Sequence, residues 1–534
     1  MTRRIAHALL AVAAALALGA CAGSPPHKDN DARVAIYSNP SSLSLVGNTD
    51  LNSSQLASVI SDGLVAYDAK GDYVPMVARA WELSPDGKTL TFHLRDGVLW
   101  HDGLRVTSRD VAYTVAKVKD PATQARSWVS QFTNVAEIET PDDLTVVVHY
   151  ATTHADALEP WRVPLVPEHV ASKDANFLDG DFAHHPIGCG PFRFVSYNPG
   201  QSIFLAAFDR YWGGRPALDR VIVKVISNER TAYESLLLRE LDLLVVTPDL
   251  WRDAQTTPAA ARLARFVYYR LNAWKIDWNQ DGATPYFKDK RVRRALVLAL
   301  DRKRFSETVV AGLARPGVSS YPPESPWTDP TIVALPFDPA QSARLLDEAG
   351  WRAPSTGGIR EKDGTPLTFT LIFPAGAQEI ADRIAAWMQQ SLAEVGVDMK
   401  IEKLKWEAFQ KRRKTHVFEA AMVSTMFDMT PDRFDLYHST ANVDGFNFGS
   451  FSDAEVDRLL AEGRATVDPG ARRAIYDRLQ KRLDDLQPIA FLLQLAQPVL
   501  HDPDLKGIVS SPVGLYEFAP GLRAWHWSSA RGRD

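Results

Sequence analysis

Through the first half of the chain, apolar and polar positions alternate in short runs set off by turn residues. Leu90, Phe92 and Leu94 follow Pro85-Asp86-Gly87, and Leu144, Val146 and Val148 follow Pro141-Asp142-Asp143. Asn198-Pro199-Gly200 separates Phe192 from Leu205. A period of two bounded by Pro, Gly, Asn and Asp predicts strands joined in hairpins. The pattern changes at 221–227, where VIVKVIS reads as a buried strand. A helix over 229–239 and a strand over 241–246 complete a βαβ unit.

From about residue 270 helical spacing becomes prominent. Val292, Ala295, Leu296, Ala299 and Leu300 share one face of a helix over 291–300 and should be core. Segments 367–373, 378–395, 399–404, 406–413 and 420–425 alternate strand and helix, the βαβαβ signature of a wound α/β domain. Its parallel strands should aim their carboxyl ends at a crevice. Ser452-Asp453-Ala454-Glu455 matches a capping box, Asp468-Pro469 opens another helix, and 488–495 reads as a strand returning toward the first domain.

Length changes this picture by excluding a single core: 534 residues, at about 150 per domain, imply two to four units. Apolar content of 45% and charged content of 23% are those of a globular protein. Formal charge is -5, and residues 1–20 hold Arg3, Arg4 and no acid, so the remainder carries -5 - 2 = -7. That sign argues against nucleic acid or an anionic membrane surface as the main partner.

Residues 1–20 read as an export signal. Arg3-Arg4 precedes an apolar run interrupted only by His7, shorter than the about 20 residues a membrane span needs. The run ends at Leu18-Gly19-Ala20-Cys21, which resembles a lipobox, so Cys21 is the expected lipidation residue. An ordinary secretory signal with a chance cysteine stays open, as does the export route, and Ala22 after the cysteine leans toward outer-membrane sorting. Residues 21–33 are small, polar and proline-bearing, a tether. Cys189 is the other cysteine of the chain, so stability must come from burial.

Segment 81–110, WELSPDGKTLTFHLRDGVLWHDGLRVTSRD, carries several blocks: Trp81-Glu82, Asp86-Gly87-Lys88-Thr89, Phe92-His93-Leu94-Arg95, Gly97, His101-Asp102-Gly103 and 107–111. Further blocks are Gly188-Cys189-Gly190-Pro191-Phe192, 208–216, 287–295, Asp301-Arg302 and 345–351. In this order they resemble the family 5 solute-binding proteins, the peptide and nickel receptors of ABC importers. The resemblance covers nearly all of the chain after residue 33. It implies a two-lobed, periplasmic-binding-protein-like α/β fold of the cluster C type, with an extra N-terminal subdomain at about 55–180. Lobe I would span 34–268, lobe II 269–492, and 493–534 would return to lobe I. Two crossing strands near 264–271 and 488–497 would form the hinge. The implied protein is a monomeric, lipid-anchored receptor at the periplasm or cell surface. It captures a short peptide or peptide-like solute, hands it to an ABC permease, and needs no cofactor.

Ligand residues are expected on Met426-Phe427-Asp428-Met429-Thr430-Pro431, which leaves the carboxyl end of strand 420–425. In peptide-binding relatives this loop reads roughly Trp-x-x-Asp-x-x-x-Pro, the aspartate pairing with the peptide amino terminus. Here Phe427 occupies the aspartate slot and Ser424 the tryptophan slot, so Asp428 substitutes only if the loop shifts by one residue. Asn39 and Ser41 after the first strand are expected from the other lobe. Trp274 and Trp278, just past the hinge, are candidates for stacking on the ligand. A nickel chelate or an oligosaccharide is the alternative cargo. A hydrolase would need His101-Asp102, His184-His185 or Cys189, none in a nucleophile motif, and His184, His185 and Cys189 match no paired zinc spacing.

Overall fold

The computed structural model describes residues 30–528, apart from 48–49, 126–127, 175, 178–179, 283, 285, 356 and 376–378. The export signal, Cys21 and most of the tether lie outside the described residues. The first strand, Asp31–Ile36, begins inside the stretch read as tether. Its parallel register sets Asp31 opposite Arg220, and the guanidinium lies 2.8 Å from the Asp31 carboxylate. An ion pair thus extends the ladder beyond its apolar centre.

Asp31–Ile36 lies between Leu243–Val245 and Arg220–Val225, parallel to both, so the two outer strands of the expected βαβ unit are not neighbours. Ser202–Ala207 and Phe192–Asn198 continue this sheet antiparallel. Beside it, a four-stranded antiparallel sheet runs in the order Ala78–Leu83, Thr89–Leu94, Thr145–Tyr150, Val135–Asp142. Alternation buries Leu90, Phe92, Val146 and Val148 on one face, where Trp161 packs 5.2 Å from the Phe92 ring. Trp100 of the long family block is buried. His101 contacts the Gly190 carbonyl at 3.0 Å and the Gly188 N–H at 3.2 Å.

In the second lobe Asp398–Leu404, Thr368–Pro374 and Ala420–Met426 run parallel. Asn272–Trp278 joins them antiparallel, with Asn272 opposite Met426. The lobes share the 13-residue strand Ile489–His501. Its first part pairs with Asn272–Trp278 and its second with Ala264–Tyr269 and Leu243–Val245. The chain therefore crosses between lobes twice, along this strand and at the step from Tyr269 to Asn272.

The lobes are closed on each other. Arg472 Nη1 donates to Asp156 Oδ1 at 2.9 Å across the gap, and the Ala155 N–H donates to the Arg464 carbonyl at 3.1 Å. Arg383 and Asp249 make an exposed pair at 2.9 Å. Among the described residues no helix is long and apolar enough to cross a membrane.

Candidate ligand-binding cleft

Closure leaves two cavities, of about 620 Å³ and about 820 Å³, which share Met426, Phe427 and Asp428 as a common wall. Strand Ala420–Met426 ends there because the Phe427 N–H is taken by the Leu271 carbonyl at 2.7 Å, which turns the loop along the lobe boundary. Arg433 braces that loop from inside. Its guanidinium donates to the carbonyls of Thr430 at 2.8 Å, Asp428 at 3.1 Å and Ser320 at 3.1 Å. It also stands over the rings of Tyr321 and Phe427, at 4.7 and 5.4 Å. The Tyr321 hydroxyl donates to the Pro431 carbonyl at 2.7 Å. A buried cation satisfied by carbonyls and ring faces fixes a loop without drawing on the carboxylate of Asp428.

The smaller chamber has mostly apolar walls, among them Leu51, Val65, Met76, Trp128, Tyr516 and Phe518. Asp62 borders it. The Asp62 carboxylate accepts from the Tyr211 hydroxyl and the Trp212 indole N–H, each at 2.8 Å. Burial pushes its pKa up to about 6, against the lowering effect of those two bonds. The larger chamber is more polar, with Ser130, Gln131, Thr133, Asn134, Thr152 and Thr153 on one side and Lys275, Arg413 and Arg464 on the other.

Asp428 faces both chambers. Its side chain is open to the cleft, yet protein on either side displaces most of the surrounding solvent. Burial therefore raises its pKa, the Glu159 carboxylate adds to the rise, and Arg433 and Arg162 oppose it. Glu159 itself is tied down: it accepts from Tyr73 at 2.6 Å and from the Tyr67 hydroxyl, and the Arg162 Nε donates to it at 3.1 Å. The Asp428 carboxylate has no such partner among the described residues, which suits it to a cationic group brought in from outside.

Of the other expected ligand residues, Met426 is exposed on the shared wall and Phe427 is buried there. Met429 is buried, and its methyl group stands 1.7 Å from where a Cβ on Gly71 would lie. Asn39 and Ser41 border neither chamber. Asn39 accepts from the Gly200 N–H at 2.8 Å, and the Ser41 N–H donates to Asp50 at 3.0 Å. Both fasten the turn that follows the first strand.

Trp274 and Trp278 are buried in the second lobe. Trp278 stacks on Phe287 at 4.8 Å. The apolar face of the second-lobe sheet claims both rings before a ligand could. Arg433, Glu159, Arg162 and Asp62 were not singled out from sequence. Lys275 and Asp277 carried a legible signal, since two charges at i and i+2 on a buried strand must share a partner or a site.

The groups that an enzyme would need are otherwise engaged. Burial pushes His101 down to about 4, leaving the ring neutral, and Asp102 faces His169 at 2.6 Å. The Cys189 thiol is buried, and desolvation raises its pKa well beyond the ordinary thiol range. Among the described residues no group of three His, Cys, Asp or Glu has a metal-binding arrangement.

Two α/β lobes joined by two crossings and closed over a shared cleft define a hinged binding protein. Residues 72–447 match the bacterial extracellular solute-binding proteins, family 5. The chain is 33% identical to Protein XP55 of Streptomyces lividans, over 89% of this chain and 86% of that protein. It is 28% identical to the oligopeptide-binding protein AppA of Bacillus subtilis, over 92% and 93% of the two chains. The solved structure of that AppA, in complex with a nonapeptide, superposes with a TM-score of 0.76 at 24% identity, covering 94% of this chain and 100% of the other. This chain belongs to the family 5 solute-binding proteins, which are receptors and not enzymes.

Proposed function

We propose that this protein is a lipid-anchored receptor that captures a short peptide between its lobes and presents it to an ABC permease. The observation that carries this reading is Asp428: a desolvated carboxylate, without a hydrogen-bond partner among the described residues, on a braced loop and open to two chambers at once. An ammonium is its natural complement, and the chambers on either side have room for the residues that follow. The relatives named for oligopeptide and dipeptide binding support a peptide as the class of cargo. The Leu18-Gly19-Ala20-Cys21 sequence supports the anchor.

Native mass spectrometry of the protein starting at Ala22, followed by denaturation, should release short peptides. Ligand at about a hundredfold excess over Kd should add about 2.7 kcal/mol of stability, so a thermal-shift comparison of free and acetylated peptides reads the amine contact directly. Equal shifts for both would remove Asp428 from the site. Release of a metal chelate or an oligosaccharide would overturn the peptide class. Metabolic labelling with a fatty-acid probe should be lost in Cys21→Ser.

A further inference from the structure

The smaller chamber draws its apolar walls from segments far apart in the chain. Leu51 opens helix Leu51–Ile60, Met76 follows strand Tyr73–Pro75, and Val513, Tyr516 and Phe518 come from the segment that returns to the first lobe. Packing fixes the aromatic part of this wall: Phe518 is buried, and the Tyr516 ring stands 5.7 Å from that of Trp525. Leu51 and Met426 border the same chamber and are each 51% exposed although the lobes are closed. Such apolar surface gains most when an apolar group covers it.

The charges at its border, Asp428 apart, are answered within the protein. Asp50 caps its helix and accepts from the N–H groups of Ser41 and Ser53, each at 3.0 Å. Asp62 accepts from Tyr211 and Trp212, and Arg162 pairs with Glu159. Arg270 donates to the Val513 carbonyl at 2.6 Å and to Glu517 at 3.1 Å, and Arg523 to the Gly213 carbonyl at 3.1 Å. A charged side chain entering here would lose water and find no uncommitted partner among the described residues besides Asp428. The larger chamber differs, because Ser130, Gln131 and Thr133 line it. Peptide groups, which need hydrogen-bond partners once desolvated, are better served on that side.

We propose that the smaller chamber holds a bulky apolar side chain next to the ligand's ammonium, so that this receptor selects peptides whose first residue is large and apolar. The chain then runs from Asp428 into the larger chamber. At about 620 Å³ the smaller chamber admits even an aromatic side chain, since sites of roughly 300–1,000 Å³ hold whole small molecules. The inference rests on the cleft being a peptide site with Asp428 on the amine, and it adds which side chain is selected and where.

Calorimetric titration of Phe-Ala-Ala, Ala-Ala-Phe, Ala-Ala-Ala, Lys-Ala-Ala and Glu-Ala-Ala tests it. Phe-Ala-Ala should bind about tenfold or more tightly than Ala-Ala-Ala. Ala-Ala-Phe should not share that gain, and both charged peptides should bind less tightly than Ala-Ala-Ala. Met76→Gln keeps the length and flexibility of the wall and adds a polar amide. Leu51→Glu puts an acid in the first turn of a helix, where it suits the helix dipole. In either variant the gain from phenylalanine should shrink to about threefold or less. In Leu51→Glu the affinity for Lys-Ala-Ala should also rise, a reversal that loosened folding would not produce. The proposal is overturned if Phe-Ala-Ala and Glu-Ala-Ala bind within about threefold of each other, if Ala-Ala-Phe matches Phe-Ala-Ala, or if both variants keep the full preference. If none of these peptides binds, the peptide reading falls by itself. The chamber is then decided by N-phenylnaphthylamine, a neutral aromatic probe that brightens in apolar surroundings. Fluorescence that rises with the unchanged protein and drops in Met76→Gln supports the apolar site, and no rise or an equal rise in both overturns it.

Discussion

Two aspartates in the cleft have raised pKa values for the same first reason, burial, and opposite prospects. Asp62 already accepts from Tyr211 and Trp212, so its charge is held in place at a desolvation cost. Its folded pKa of about 6 exceeds the ordinary 3.8. The folded state therefore binds a proton more tightly than the unfolded chain between those values, and stability falls as pH rises through that window. Asp62→Asn keeps an acceptor for both donors and should remove this dependence. Chemical denaturation of both proteins between pH 4 and 7 should show the variant gaining on the parent by on the order of 3 kcal/mol. Asp428 lacks hydrogen-bond partners among the described residues, so on the proposed reading its ionised form is free to pair with an ammonium. An ammonium binds only that form, and affinity for free-amine peptides should fall as pH drops through the raised carboxyl pKa. Titration calorimetry should find that slope absent in Asp428→Asn, together with a loss of about tenfold or more in affinity.

At the level of elements, the cleft depends on close approach between a hairpin of the first lobe and the loop of the second. The turn between Val65–Tyr67 and Tyr73–Pro75 brings Gly71 against the Met429 methyl, with φ at +96°. Only glycine meets both demands there, a left-handed backbone and space for the methyl group. Gly71→Ala should cost about 1–3 kcal/mol from the backbone alone. The new Cβ must also push the end of the Met429 side chain aside, which disturbs the packing next to Asp428 and should weaken ligand binding modestly. Denaturation and titration of one variant separate the two effects. The family block around Tyr211 and Trp212 has its own element-level meaning: it delivers two donors to Asp62 across the first lobe.

The whole molecule is a hinge whose closed form is held partly by its own contacts. Arg472 and Asp156 are both largely buried at the lobe boundary, whereas Arg383 and Asp249 are exposed to solvent. An exposed pair contributes about 0–1 kcal/mol, so Arg383→Gln should leave closure nearly unchanged. Replacing Asp156 and Arg472 together by Asn and Gln removes the buried pair without stranding either charge. Small-angle scattering of the ligand-free double variant should show a larger radius of gyration. Affinity should drop with it, since binding must then supply more of the free energy of closure. An unchanged radius would mean that the apolar contacts around Met429 hold the lobes without help from the ion pair.

The element types and the two-lobed α/β class were legible because they rest on local periodicity: the hairpins of the first half, the βαβαβ run after residue 367, and family blocks from Trp81 to Trp351. The position of the Met426–Asp428 stretch on the cleft wall was also legible, since the carboxyl end of a parallel strand faces a crevice wherever such sheets form. Which side chains border the cleft was decided by packing between segments far apart in the chain. Trp274 and Trp278 had a hydrophobic sheet face available and were drawn into the core, while Asn39 and Ser41 were spent on their own turn. Arg433 became a brace because Tyr321, distant in sequence, offered it a ring. Lys275 and Arg413 share one carboxylate only because a strand and a helix from different parts of the second lobe meet there. A linear pattern records whether a residue prefers burial, and the fold determines what it is buried against.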